Sequence, residues 1–312
     1  MGKSESGGPD PHEKSLEAYN DVFADIMNAV LFKGRPEVSE TELEDAKTNS
    51  KYWVDGRFRN QERDVAKYWK KTRIRVAHFG CENQTDPDPD MPLRVIGYDG
   101  AEYRGQLYYV KDEHGKRKMN RNPRYPVITL VLYFGYKTRW TGPRRLVEAL
   151  ADVPEGLKPF VNDYEVHVIE VAWMTDEELG RLKSDFRIVA DFFAQKRKNG
   201  DYVPSSKEII HVNETLELLS AITGDDRFQE TETCFGEGKE VPRTMCEVLD
   251  RVEKRGEKRG EKRGEKRGEK RGRIAEYVSI RKEDGYSVEE IIEGLMQRFE
   301  LSRDEATKSV SV

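Results

Sequence analysis

The sequence predicts an α/β protein with a helical C-terminal extension. Three observations carry that expectation. Val127–Phe134 is a near-continuous apolar run, as a central strand buried on both faces requires, and Glu165–Trp173 is a second such run. Stretches with apolar residues at helical spacing surround these runs, first from Lys14 to Phe32 and again after Thr175. Beyond Gly236 the chain becomes a charged repeat followed by a short segment of helical pattern.

Residues 1–13 hold Gly, Ser, Pro and charge, a composition that predicts disorder. From Lys14 to Phe32, Leu16, Tyr19, Phe23, Ile26, Met27 and Val30 form an apolar stripe of an amphipathic helix. Asp21, Asp25 and Asn28 form its polar stripe. Residues 33–50 read as a loop followed by a polar stretch. Trp53–Lys70 reads as a hairpin turning at Asp55-Gly56, with Asp64 in the returning arm. Arg73–Gln84 is the next strand. Thr85–Asp90 is Asp/Pro-rich loop, and Asp90 is placed to cap a helix opening at Met91-Pro92. That helix carries Arg94, Tyr98 and Tyr103. Residues 111–125 read as a basic loop. Thr175 and Glu178 have capping-box spacing, and the helix they open would bury Leu179, Leu182, Phe186, Val189 and Phe193. A further helix is expected from Ser206 to Ile222, and Arg243–Arg251 is helical in pattern. Glu253-Lys-Arg-Gly then repeats five times through Gly272. Each glycine costs a helix about 1 kcal/mol relative to alanine, so the repeat reads as a marginal helix or a flexible basic tether. In the tail, Ser287 with Glu290 and Ser302 with Glu305 are two more capping boxes. Ile291, Ile292, Leu295, Met296 and Phe299 make an apolar face there, suited to packing or to forming a homo-oligomer.

Charge is unevenly distributed. The 312 residues carry a net charge of −5, with 36% hydrophobic and 36% charged residues. Residues 253–273 hold eleven Lys/Arg and five Glu, a net of +6, which leaves the remainder near −11. A uniformly basic polyanion-binding protein is thereby excluded, and any nucleic-acid surface must be local. Cys81, Cys234 and Cys246 contain no Cys-x-x-Cys pair and fit reduced thiols in a cytoplasmic protein. The five histidines have no zinc-ligand spacing, and no Walker-type glycine loop is present. The polar N-terminus has no apolar signal core, and the longest apolar run is too short to span a bilayer. The expectation is a cytoplasmic protein with no membrane association.

Asp64 and the sequence Glu82-Asn83-Gln84 are the residues most suggestive of chemistry. Side chains two apart on a strand share a face, so Glu82 and Gln84 point the same way. Asp64 and Glu82 are oxygen ligands suited to Mg2+, and the Asn83 carbonyl could add a third. Gln84 could orient an attacking water. Asp25, on the first helix, is a candidate outer ligand. A pair of ordinary solvent-facing acids is the alternative.

Several blocks together resemble a known family. Asp21-Val22-Phe23-Ala24-Asp25-Ile26-Met27-Asn28, Arg63-Asp64-Val65, Glu82-Asn83-Gln84-Thr85, Met91-Pro92-Leu93-Arg94-Val95 and Pro126–Tyr133 before Trp140 follow one another in its order. Over about residues 14–255 the chain is similar to the recombination-promoting nuclease family (YhgA-like transposases), a branch of the PD-(D/E)XK nuclease superfamily. The resemblance implies a restriction-endonuclease-like core, with a mixed central β-sheet flanked by helices. It implies a Mg2+-dependent DNA endonuclease acting in recombination or mobile-element biology. Carried over by position, Asp64 and Glu82 would hold the metal, and Gln84 would stand where the superfamily usually has lysine. Glutamine is neutral, so a cation must come from elsewhere. Arg94, one helical turn into the next element, is the candidate.

DNA is the partner this implies. Arg57–Arg75 holds eight Lys/Arg against two acids, and Lys116, Arg117, Lys118, Arg121 and Arg124 mark a second basic segment. Both suit sequence-independent phosphate contacts. A catalytically silent DNA-binding or interaction protein on the same fold is the competing expectation. An Asp-Asp-Glu transposase is disfavoured by the short Asp64-to-Glu82 spacing. If Asp64 and Glu82 lie on opposite faces of the sheet, the nuclease expectation fails.

Overall fold

A computed structural model describes residues 15–54, 57–72, 74–120, 122–225, 227–228 and 242–310. The chain divides into two compact units, residues 1–248 and 249–312. The expected disorder of residues 1–13, the Asp55-Gly56 turn, Arg121 and Cys234 lie outside the described residues.

The first unit is built on a five-stranded mixed sheet. Its strands are β1 (Leu43–Asp45), β4 (Val65–Lys71), β5 (Ile74–Gln84), β8 (Val127–Tyr133) and β9 (His167–Glu170), in the order β1-β4-β5-β8-β9. β1, β4 and β5 run antiparallel to their neighbours, whereas β5, β8 and β9 run parallel. The apolar run expected to be a central strand is β8, an interior strand of the sheet. The second run is shorter than expected. It pairs only as far as Glu170, then tightens into a 3-10 turn, Val171–Trp173.

Two small hairpins stand apart from this sheet, β2 (Asn49–Val54) with β3 (Arg57–Glu62), and β6 (Tyr109–Lys111) with β7 (Arg117–Met119). The single hairpin expected over Trp53–Lys70 is split: β2 pairs with β3, whereas β4 pairs with β1 and β5. Val54 pairs with Arg57 across the first turn, and the chain then leaves that ribbon at Glu62. Asp64 lies in the bend between β3 and β4, not within a strand. β4 turns back into β5 through Thr72, which adopts a left-handed φ of 63°. The expected basic loop, 111–125, likewise contains strand β7.

Helices cover both faces of the sheet. The expected Lys14–Phe32 helix breaks at Tyr19 into a 3-10 turn, Leu16–Ala18, and α1, Asn20–Val30. Its apolar stripe is buried as the pattern requires, with Val22, Phe23, Ile26 and Met27 fully enclosed. α2 (Met91–Gly105) opens at Asp90 with Pro92 in its first turn, although the Asp90 side chain makes no capping bond. Met91 and Val95 of α2 join Val131, Tyr133, Trp140, Val166 and Val168 in one apolar cluster. After α3 (Leu146–Ala149), the Thr175 capping box forms and opens α4 (Asp176–Arg181). The single helix expected there breaks at Leu182–Asp185 before α5 (Phe186–Asn199), yet all five expected core residues are buried. α6 runs over Val212–Thr223, later than the expected start at Ser206.

The repeat forms part of one continuous helix, α7 (Met245–Glu283), rather than a flexible tether. Three of every four repeat residues are good helix formers, and each Lys precedes a Glu by three positions, as Lys254 does Glu257. A methyl group at Gly256, Gly260, Gly264, Gly268 or Gly272 would meet nothing, so these glycines serve no close packing. In the second unit, α8 (Val288–Phe299) and α9 (Arg303–Val310) follow, and both tail capping boxes form. Ile291, Ile292, Leu295 and Phe299 pack with Val278, Ala306 and Val310, so the face expected to serve packing or self-association is used within this chain.

Candidate active site

The candidate residues gather at the C-terminal end of β5. Adjacent strand residues face opposite sides, so Glu82 and Asn83 diverge to two helical layers. Glu82 turns toward α2, where its Oε2 accepts a bond from Arg94 Nη2 at 2.8 Å. Asn83 turns the other way, and its Nδ2 donates to Glu17 Oε1 at 3.1 Å.

Register brings Asp64 to the same place. Val65 pairs with Cys81, so one step back sets Asp64 level with Glu82, and residues directly opposite share a face. The Asn83 backbone N–H donates to Asp64 Oδ2 at 2.7 Å, anchoring the bend. Asp64 stands near enough for its charge to act on Glu82. The preceding Arg63 fixes the bend from inside. Its guanidinium lies close to where a Cβ on residue 80 would stand, so a larger residue on the facing strand would displace it.

Burial sets the electrostatics. Glu82 is 1% exposed, and its Oε1 has no hydrogen-bond partner among the described residues. Dehydration, reinforced by the Asp64 charge and opposed by Arg94, raises its carboxyl to about 7. Asp64 is exposed but is dehydrated on its protein side, which raises its carboxyl against the pull of the Asn83 N–H and Arg94. Glu17 was not expected from the sequence. It is fully buried in the 3-10 turn before α1, and burial raises it to about 7. Its Oε2 and Asn83 Oδ1 also have no hydrogen-bond partner. Buried polar atoms are nearly always satisfied, and three of the eight orphan atoms among the described residues fall along this one short chain of contacts.

Among the described residues, Glu82, Asp88 and Tyr98 hold Arg94. Its Nη1 donates to Asp88 Oδ2 at 2.8 Å, and its Nη2 also reaches the Tyr98 hydroxyl at 3.5 Å. These acceptors keep it charged. Asp88, from the loop before α2, is a second residue that the sequence did not single out. Gln84 is half-buried at the strand end, level with Tyr133 on β8. Among the described residues its side chain makes no hydrogen bond.

Asp25 corrects an expectation. Its Oδ2 accepts the backbone N–H groups of Lys183 at 2.8 Å and Ser184 at 2.7 Å. It holds the bend between α4 and α5 in place of a missing cap, and it makes no contact with Asp64 or Glu82 among those described. Of the acids in the N-terminal helical segment it is Glu17, through Asn83, that reaches the end of β5. No signal in the sequence separates Glu17 from an ordinary surface glutamate, because the break at Tyr19 that turns it inward is a tertiary effect.

Chemically, the arrangement is an open pair of carboxylates with a fixed guanidinium beside them. Among the described residues no group of three or more His, Cys, Asp or Glu side chains is gathered into a metal cage. Two carboxylates still suit Mg2+, which keeps most of its waters and commonly takes only one or two protein carboxylates. Among the described residues, no helix is long and apolar enough to cross a membrane. No protein-family model, no curated protein and no solved structure matches the chain.

Proposed function

We propose that the chain is a metal-dependent DNA endonuclease of the PD-(D/E)XK type, akin to the recombination-promoting nucleases. The observation that carries this reading is the buried Glu82, level with Asp64, with one oxygen on Arg94 and the other unsatisfied. An acceptor with no donor in a dehydrated place calls for a proton or a cation. Asp64 and Glu82 would hold Mg2+, with the Asn83 carbonyl as a further oxygen. When bound, the ion would polarise the phosphodiester and activate water.

The protein's own groups divide the remaining work. Arg94, pinned by Asp88, supplies the positive charge that a neutral Gln84 cannot. Such a fixed cation stabilises charge developing on phosphoryl oxygens. Gln84, with an unengaged amide on the Glu82 face, orients the incoming water. Glu82, raised to about 7, must lose its proton before it can serve as a ligand. Cleavage at limiting Mg2+ is therefore expected to rise as pH climbs through about 7.

The test is cleavage of supercoiled and linear DNA with Mg2+ and with chelator, comparing wild type and Asp64→Ala. The expected outcome is Mg2+-dependent cleavage that falls about 100-fold or more in Asp64→Ala. Equal cleavage by both proteins, or none by wild type at any pH from 6 to 9, sinks the reading.

A further inference from the structure

The β6–β7 ribbon stands outside the site and exposes more apolar surface than a free-standing hairpin needs. Leu107, Tyr108, Tyr109 and Met119 are all exposed, at 55%, 48%, 53% and 40%. Tyr109 pairs with Met119 and Lys111 with Arg117, and directly paired residues share a face. One face of the ribbon is therefore Tyr109, Met119, Lys111 and Arg117, two apolar groups and two cations without an acid. The Arg117 guanidinium lies 4.1 Å from the Tyr109 ring centre, so the charge is held over the aromatic. Lys118 and Lys116 add charge on the other face and at the tip.

The ribbon is firmly built. Its tip is closed by Asp112, whose Oδ1 accepts the N–H groups of His114 and Lys116, and by Gly115 at a φ of +74°. Asp112 is thereby largely committed to the turn. At the base, Arg124 donates to the backbone carbonyls of Gln106 and Asn120. The buried Gln106 side chain clasps both polar backbone groups of Tyr125. A rigid base under an exposed aromatic and basic face is the construction of a contact element.

We propose that this ribbon is a duplex-DNA contact, entering the major groove with the Tyr109 face toward the bases. A two-stranded ribbon fits that groove, whose rims carry the phosphates that Lys111 and Arg117 complement, and whose floor offers thymine methyls to Tyr109 and Met119. The proposal rests on reading the chain as a DNA-acting protein, and it names the form of DNA. α2 connects the two places. From Arg94 to Gly105 is about 17 Å at 1.5 Å per residue, or about five base pairs at 3.4 Å.

The test uses the full chain in chelator, with anisotropy of a labelled 25-base-pair duplex followed from low to moderate salt. Lys111→Gln with Arg117→Gln is expected to weaken binding about 10-fold and to reduce the salt slope by about 2. Tyr109→Ala is expected to weaken binding about 5-fold and leave the slope unchanged, as loss of an apolar contact does. Circular dichroism checks that these surface variants keep the fold. Wild-type affinity in all variants, no duplex binding by wild type, or tighter binding to single strands each overturns the proposal. Cleavage is scored separately. Cleavage that survives with an idle ribbon leaves the nuclease reading intact, whereas ribbon-dependent binding without cleavage removes that reading and keeps the ribbon.

Discussion

Two buried carboxylates on neighbouring elements of the sheet's α2 side meet opposite fates. Asp99, 2% exposed, has donors on both oxygens. Thr129 donates to Oδ1 at 2.6 Å, the Tyr164 hydroxyl donates to Oδ2, and Arg63 Nη2 lies 3.6 Å away. Glu82, equally buried, has Arg94 on Oε2, while its Oε1 has no hydrogen-bond partner among the described residues. Glu17 and Asn83, on the far side of β5, repeat the deficit. A satisfied buried carboxylate is a structural part, because its partners restore what water supplied. An unsatisfied one remains only where something outside the fold is to complete it. The same sheet thus carries a closed carboxylate, Asp99, and an open one, Glu82, although the Arg63 Nε beside Asp99 also lacks a partner among the described residues.

The largest expected effect lies on the closed side. Asp99→Ala leaves the Arg63 guanidinium, 3% exposed, without its counter-charge. Breaking one partner of a buried pair costs about 3–5 kcal/mol. Denaturant unfolding is expected to show a loss of that size. A loss below about 1 kcal/mol would mean that the cluster is not the support the contrast requires.

The open side is expected to respond in the reverse sense. Burial raises Glu17 from 4.5 to about 7, so the native state binds its proton more tightly than the unfolded chain does. Stability from this group is then fully present below about 4.5 and is lost as pH rises through about 7. Glu17→Gln removes a charge that the fold resists, and at pH 8 it should stabilise the metal-free protein by about 3 kcal/mol. Near pH 4 the variant and wild type should unfold alike. Thermal unfolding of both proteins across pH 4–8 reads this directly. Destabilisation by Glu17→Gln at pH 8 would move Glu17 to the closed, structural class.

The contrast was only partly legible in the sequence. β8 and α2 follow from local pattern, because a continuous apolar run and a Pro-opened helix are each written in consecutive residues. Asp64 and Glu82 could be paired because eighteen residues fit one antiparallel return. What stayed hidden was non-local. Glu17 becomes a site residue only because the chain breaks at Tyr19, and Asp25 leaves the site only because the bend at Lys183 and Ser184, far along the chain, needs its carboxylate. The partners of Asp99, Thr129 and Tyr164, are brought to it from far along the chain. The repeat misled in another way. Glycine propensity predicts a weak helix, but the three strong formers between successive glycines carry it through.

The finest test of the contrast is Tyr164→Phe. It deletes one hydroxyl donor from Asp99 and leaves Thr129 and Arg63 in place. Hydrogen bonds to charged groups contribute about 1.5–3 kcal/mol, and the half-exposed edge of Tyr164 lets water replace part of the loss. A cost of about 1–2 kcal/mol in denaturant unfolding is expected, with DNA cleavage per folded molecule unchanged. Equal stability with impaired cleavage would join Asp99 to the open cluster. The two carboxylates would then be one site, reached from Glu82 through Arg94, Tyr98 and the Arg63 guanidinium 5.1 Å from the Tyr98 ring centre.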